Sequence, residues 1–133
     1  MDCWFPFAEH PAQPAPVRHI VYVQTRLRLK SGAFRLVVML TTTSSRMIAA
    51  IPAGLSVTIS KESSLRMGMR NAFTIDVHRL AALPEDTSWF PDIGRENFVI
   101  ARAADRLKMA ITKRYDAMLE QHPRPMSLMG PGA

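Results

Sequence analysis

The chain has 133 residues, 47% of them apolar, with 17 Lys and Arg against 11 Asp and Glu, so we expect one small basic domain. This length excludes a Rossmann enzyme or a full β/α barrel. The formal net charge of +6 favours a partner that carries phosphate or acidic groups. The single cysteine, Cys3, excludes an internal disulfide, and no apolar stretch is long enough for a membrane helix.

The first 17 residues are rich in proline and aromatic residues. Proline removes a backbone donor and disfavours helix in the preceding residue, so this segment predicts an extended arm that its aromatic side chains pin to the core. The segment also lacks the charged and apolar regions of an export signal, and we therefore expect a cytoplasmic protein without a membrane contact.

Two runs of β-branched and apolar residues, 18–25 and 33–41, predict strands. The tripeptide Lys30-Ser31-Gly32 supplies a turn between them, which predicts a hairpin. Alternation at 26–30 predicts that Leu27 and Leu29 point inward. The cations of this stretch are then expected on the outer face: Arg26, Arg28 and Lys30. Because no acid occurs between Glu9 and Glu62, a surface of one sign is expected there.

Three further strands are predicted at Met47–Ile51, Leu55–Ile59 and Phe73–Val77, with a turn at 52–54. In the last of them, alternation directs Asp76 toward solvent or a groove.

Apolar residues recur at three- and four-residue spacing from Ile100 to Met118 and predict an amphipathic helix that His122-Pro123 ends. The tail, 123–133, is expected to be disordered, which leaves 1–122 as the domain. Short strands followed by a late helix predict a mainly β or α+β fold, a small and strongly bent antiparallel sheet or barrel capped by the helix.

The sequence has no phosphate-binding loop, no nucleophile elbow and no metalloprotease motif. Its four histidines are scattered without the spacing of metal ligands. We therefore expect neither a metal nor another cofactor.

An ordered set of short motifs resembles the MazF/PemK-like toxin family. The motifs are Trp4-Phe5-Pro6-Phe7-Ala8-Glu9-His10-Pro11, Arg18 before a strand, Thr43-Ser44 closing the next strand, Ala72-Phe73-Thr74-Ile75-Asp76-Val77, Leu83-Pro84 and Trp89-Phe90. The resemblance implies a small SH3-like antiparallel barrel with helices, a homodimer, an antitoxin partner and metal-independent cleavage of single-stranded RNA by the RNA's own 2′-hydroxyl.

The resemblance also implies roles for particular residues. Arg18 would clamp the phosphate, Thr43 and Ser44 would donate hydroxyl hydrogen bonds to it, and Glu9 or His10 would transfer protons. The residues expected to contact RNA are Asp76, Arg26, Arg28, Lys30 and Arg70.

Two departures from the family pattern leave alternatives open. The family usually has Arg-Pro where this chain has Arg18-His19, and the diverged branch that the chain resembles has a glycine where this chain has Thr42. The alternatives are a module that binds nucleic acid without cleaving it and a protein-inhibiting module like the gyrase-poisoning toxins. Read without the resemblance, Arg18 is a surface cation and 41–45 is a strand end followed by a turn.

Overall fold

The computed structural model describes residues 1–7, 9–96, 98–121 and 130–131. These residues form an antiparallel sheet with a few helices, which confirms the α+β class. The elements in chain order are β1 (Asp2–Cys3), β2 (His19–Arg28), β3 (Phe34–Thr42), α1 (Ser45–Ala49), β4 (Ser56–Ile59), α2 (Lys61–Arg66), β5 (Phe73–Pro84) and α3 (Asp105–Gln121).

The strands are ordered β1-β2-β3-β5-β4, and every neighbouring pair is antiparallel. Strands β1 and β4 are the two edges of this order and do not pair with each other. The described strands therefore form an open sheet and not a closed barrel. The predicted hairpin is confirmed, because β2 and β3 are joined at Gly32, whose φ of 89° suits a residue without a β-carbon.

Both faces of the central strands are buried. Val37 and Met39 of β3 pack on one face, which α3 covers with Ile111 and Met118. Leu36, Val38 and Leu40 alternate with them and pack on the other face. This second core is closed by side chains of the N-terminal arm and of the loop after β5, namely Cys3, Phe5, Trp89 and Phe90. The aromatic residues at 89 and 90 therefore anchor the fold.

The predicted strand at Met47–Ile51 is wrong, because this segment begins within helix α1. Ser44 precedes the helix with extended backbone, and its hydroxyl oxygen accepts a hydrogen bond from the Met47 backbone N–H at 3.4 Å. A serine cap satisfies one of the free N–H groups of a first helical turn, which favours helix over strand here.

Helix α3 begins at Asp105, later than the apolar spacing from Ile100 predicts. The Ala104 carbonyl accepts the Lys108 N–H at 3.0 Å and starts the helical bonding, while Ile100 lies in the preceding coil. The buried side chains of the helix, Ile111 and Met118, are among those that the spacing selects. The predicted stop at His122-Pro123 lies outside the described residues.

The inward direction predicted for Leu27 and Leu29 is also wrong, since they are 44% and 39% exposed. They lie in the β2–β3 hairpin, whereas α3 contacts β4 and β5, which lie toward the opposite edge of the sheet. Alternation alone cannot show where the covering helix stops.

Most of the tail predicted to be disordered, 123–133, lies outside the described residues. Of its described part, Gly130 donates its N–H to the Pro11 carbonyl at 2.7 Å. Over the described ranges, none of the helices combines the length and the apolar character needed to span a bilayer.

Candidate functional site

A cavity of about 650 Å³ lies at one end of the sheet. In an antiparallel sheet the start of β2, the end of β3 and the start of β5 meet at the same end, as the pairs Val21 with Leu40 and Thr42 with Thr74 show. Three segments distant in sequence therefore line one pocket: 18–20, 41–44 and 68–73.

The polar part of the pocket lining is positively charged. Two arginines, Arg18 and Arg70, line the pocket together with His19 and Asn71. No carboxylate occurs among its described lining residues. Arginine donates several N–H groups in a planar fork and keeps its charge, so this part of the pocket suits a phosphate or a carboxylate.

The pocket also has apolar lining residues. They come from β2, α1, β5 and the loops before β5 and α3, and they are Ile20, Met47, Met69, Phe73 and Ile100. Aliphatic, thioether and aromatic surface of this kind favours the flat apolar face of a ligand. The lining of the pocket thus combines anion-binding residues with apolar residues.

Hydrogen bonds around the end of β3 decide which hydroxyl groups are free for a ligand. Thr41 donates to the Ile20 carbonyl at 2.6 Å. Thr42 accepts the Ser44 N–H at 3.0 Å and donates to Met47 Sδ at 3.6 Å. Thr43 is exposed and makes no hydrogen bond to another described residue. The Ser44 oxygen accepts the Met47 N–H, which leaves its proton free to be donated. Thr43 and Ser44 are therefore the available hydroxyl donors.

Arg18 stands at the start of β2 with its guanidinium carbon 5.6 Å from the centre of the Trp4 ring. The ion pairs found among the described residues involve Arg26, Arg66 and Arg95 rather than Arg18. Its charge therefore remains available to an anion in the pocket.

Alternation directs Asp76 toward solvent or a groove, but the residue is only 7% exposed. The register of β5 against β3 shifts at this point, from Leu40 opposite Asp76 to Met39 opposite Leu80. In the resulting bulge, Asp76 Oδ1 accepts the N–H groups of His78 and Arg79 at 3.0 and 3.2 Å. Burial raises the pKa of this carboxyl, and the two N–H groups oppose that rise. Asp76 therefore stabilises the bulge, and it is not among the residues that line the pocket.

Glu9 and His10, the predicted proton-transfer residues, are exposed in the turn of the N-terminal arm. The His10 N–H binds the Phe7 carbonyl at 3.0 Å, and neither Glu9 nor His10 lines the pocket. The structure thus does not bring them together with Arg18.

The basic residues of the hairpin lie toward the other end of β2. Arg18 directly precedes β2 and Arg28 is its last residue. An extended segment of ten residues spans roughly 30 Å. Arg26 is also engaged, because its guanidinium lies 2.8 Å from a Glu85 carboxylate oxygen and 3.6 Å from the centre of the Phe34 ring. Of the residues expected to contact RNA, only Arg70 shares the pocket with Arg18.

Sequence reasoning did not select His19 or Asn71, both of which line the pocket. Each lies next to a selected arginine in the chain, with His19 at the start of β2 and Asn71 two residues before β5. The antiparallel pairing of β2, β3 and β5 is the signal that places them there. In the described part of the chain no group of three His, Cys, Asp or Glu residues could hold a metal ion.

Comparison of the chain with protein-family models, with curated proteins and with solved structures gives no match. The resemblance to MazF/PemK-like toxins therefore rests on the order of the short motifs, and the pocket stands as an independent observation.

Proposed function

We propose that the protein is an endoribonuclease that cleaves single-stranded RNA without a metal ion, in the manner of MazF/PemK-like toxins. The observation that carries the proposal is the meeting of Arg18, Arg70 and the free hydroxyls of Thr43 and Ser44 in one pocket whose described lining residues include no carboxylate. This set of donors matches the charge and the oxygen atoms of a phosphodiester.

The mixed lining of the pocket suits a nucleotide as the ligand. Its phosphate binds Arg18 and Arg70, and its base lies against the apolar lining residues, where Asn71 can hydrogen-bond a base edge. A base can enter such a pocket only when it is free of a duplex stack, which favours single strands.

The reaction needs little from the protein beyond positioning, charge and proton transfer. The RNA 2′-oxygen attacks the adjacent phosphorus, the bond from phosphorus to the 5′-oxygen breaks, and the products are a 2′,3′-cyclic phosphate and a 5′-hydroxyl. Arg18 and Ser44 stabilise the negative charge that grows on the phosphate oxygens. A proton leaves the 2′-hydroxyl and one reaches the 5′-oxygen, and His19 is the pocket group suited to this transfer.

The finer features of the proposal are the SH3-like barrel, the homodimer, the antitoxin and the cytoplasmic location. Their support is the motif resemblance, together with an antiparallel sheet of five described strands that is compatible with such a fold.

A second candidate function is binding of single-stranded nucleic acid without cleavage. One observation favours it: His19 is the sole acid–base group of ordinary catalytic type among the described lining residues, whereas the reaction moves two protons. In addition, the Thr42 hydroxyl is not free for a ligand, because it accepts the Ser44 N–H and donates to Met47 Sδ.

A cleavage assay with a matched control separates these functions. The wild type and two variants, Arg18→Ala and Arg106→Ala, are incubated with a single-stranded RNA and with the same sequence carrying 2′-deoxy sugars. We expect the wild type to cleave only the RNA, Arg18→Ala to lose about 100-fold or more in rate, and Arg106→Ala, an exposed α3 residue outside the pocket lining, to match the wild type.

Binding of both strands without cleavage of either would support the second function and contradict the first. Cleavage of RNA at equal rates by the wild type and Arg18→Ala would contradict the assigned pocket.

A further inference from the structure

We propose that Trp4 is a positioning residue that holds the Arg18 guanidinium toward the pocket without neutralising it. The inference rests on the proposed function for the nature of the ligand, which is a phosphodiester. It adds a residue that does not line the pocket and acts through Arg18.

Sheet pairing brings the two side chains together. In the β1–β2 pair Asp2 lies opposite Ile20 and Cys3 lies opposite His19, so the next position along places Trp4 beside Arg18. The observed distance of 5.6 Å from the guanidinium carbon to the ring centre lies within the range of a cation–π contact.

Trp4 is itself anchored on the core side. Its backbone N–H donates to the Trp89 carbonyl at 2.9 Å, and Trp89 is 5% exposed. The preceding residue, Cys3, is fully buried. The Trp4 backbone is therefore anchored, and its indole offers a surface on which the long Arg18 side chain loses freedom before a ligand arrives, which lowers the entropy cost of binding.

A second arginine, Arg26 in β2, allows a comparison, because it has both an aromatic neighbour and a carboxylate partner. Arg26 lies over Phe34 but is also paired with Glu85, so its charge is compensated. Arg18 has the aromatic neighbour without such a partner among the described residues. An aromatic face orients a cation and leaves its N–H groups free to bind a phosphate.

The test is a double-mutant cycle that measures binding of a fluorescent, uncleavable 2′-deoxy trinucleotide. We expect Trp4→Leu to weaken binding about 2- to 5-fold and Trp4→Phe, which keeps an aromatic face, to stay within about 2-fold of the wild type. In an Arg18→Ala background, Trp4→Leu should change nothing further. Phe34→Leu is the matched control, because Glu85 still holds Arg26, and its binding should equal that of the wild type.

Three results would overturn the positioning role: wild-type affinity of Trp4→Leu, an equal loss in Trp4→Phe, or the same loss with and without Arg18. Failure of the wild type to bind the probe would overturn it together with the phosphate site. Probe binding without RNA cleavage would instead contradict only the nuclease activity.

Fluorine NMR of protein labelled with 5-fluorotryptophan tests the contact even if Trp4→Leu does not fold. The signal assigned to Trp4 by its loss in Trp4→Phe should move in Arg18→Ala and stay in place in Arg106→Ala. An unmoved signal in Arg18→Ala would show that the two side chains are not in contact.

Discussion

Ser44 is predicted to serve both the fold and the ligand, and two substitutions separate these roles. It caps α1 through the Met47 N–H and also lines the pocket. Ser44→Ala removes the cap, which we expect to lower the free energy of unfolding by about 1 kcal/mol. Ser44→Asp keeps an acceptor at the cap, so its stability should remain within about 0.5 kcal/mol of the wild type.

Binding is expected to rank the two variants in the opposite order. Ser44→Ala removes one hydrogen bond to a charged group, which is worth about 1.5 kcal/mol or more and corresponds to about a 10-fold weaker affinity. Ser44→Asp loses the same donor and adds a negative charge near the phosphate. Two charges about 4 Å apart interact by about 1 kcal/mol in water and about 4 kcal/mol near a protein surface, so a further loss of about 5-fold or more is expected.

Urea unfolding and fluorescence anisotropy with an uncleavable single strand measure the two effects on the same samples. Ser88→Asp introduces the same charge at an exposed position outside the pocket lining and should bind like the wild type. If folded Ser44→Asp binds as tightly as the wild type, no phosphate lies beside residue 44, and the proposed role of Ser44 in binding is wrong.

Two other predictions concern charge. The pKa of Asp76 is raised above its ordinary value of 3.8, so the folded wild type keeps this proton to higher pH than the unfolded chain does. Its free energy of unfolding therefore falls as the pH rises from the unfolded pKa to the folded pKa. Asp76→Asn keeps the Oδ1 acceptor and should lack this fall when the free energy of unfolding is measured from pH 3.5 to 7. The same pH dependence in both proteins would contradict the raised pKa of the buried carboxyl. Salt titration of binding should give a slope of log affinity against log salt of about −1.4 if Arg18 and Arg70 each neutralise one phosphate, and about −0.7 for Arg18→Ala. An unchanged slope in that variant would remove Arg18 from the phosphate site.

Local pattern was sufficient to predict most of the sheet. Alternation and β-branched residues predict β2, β3 and the first part of β5, and Gly32 marks the turn between β2 and β3 because its backbone requires a positive φ. The same pattern misled at Met47–Ile51, where the serine cap outweighs the apolar run. It also misled at Leu27 and Leu29, since burial depends on how far α3 reaches across the sheet.

The candidate site was predictable only in part, because it is assembled by strand pairing. Arg18, Thr43, Ser44 and Arg70 were selected and do share a pocket. Asp76 was misread because a bulge turns its carboxylate onto the backbone N–H groups of His78 and Arg79. His19 and Trp4 gain their positions from the pairing of β2 with its neighbours, which no local motif reveals.

The most direct test of the central claim is product analysis of a single-stranded RNA incubated with the protein in excess EDTA. We predict fragments that end in a 2′,3′-cyclic phosphate and begin with a 5′-hydroxyl, formed by the wild type and by Arg106→Ala but about 100-fold more slowly by Arg18→Ala. Intact RNA, or cleavage that disappears when EDTA is added, would contradict it.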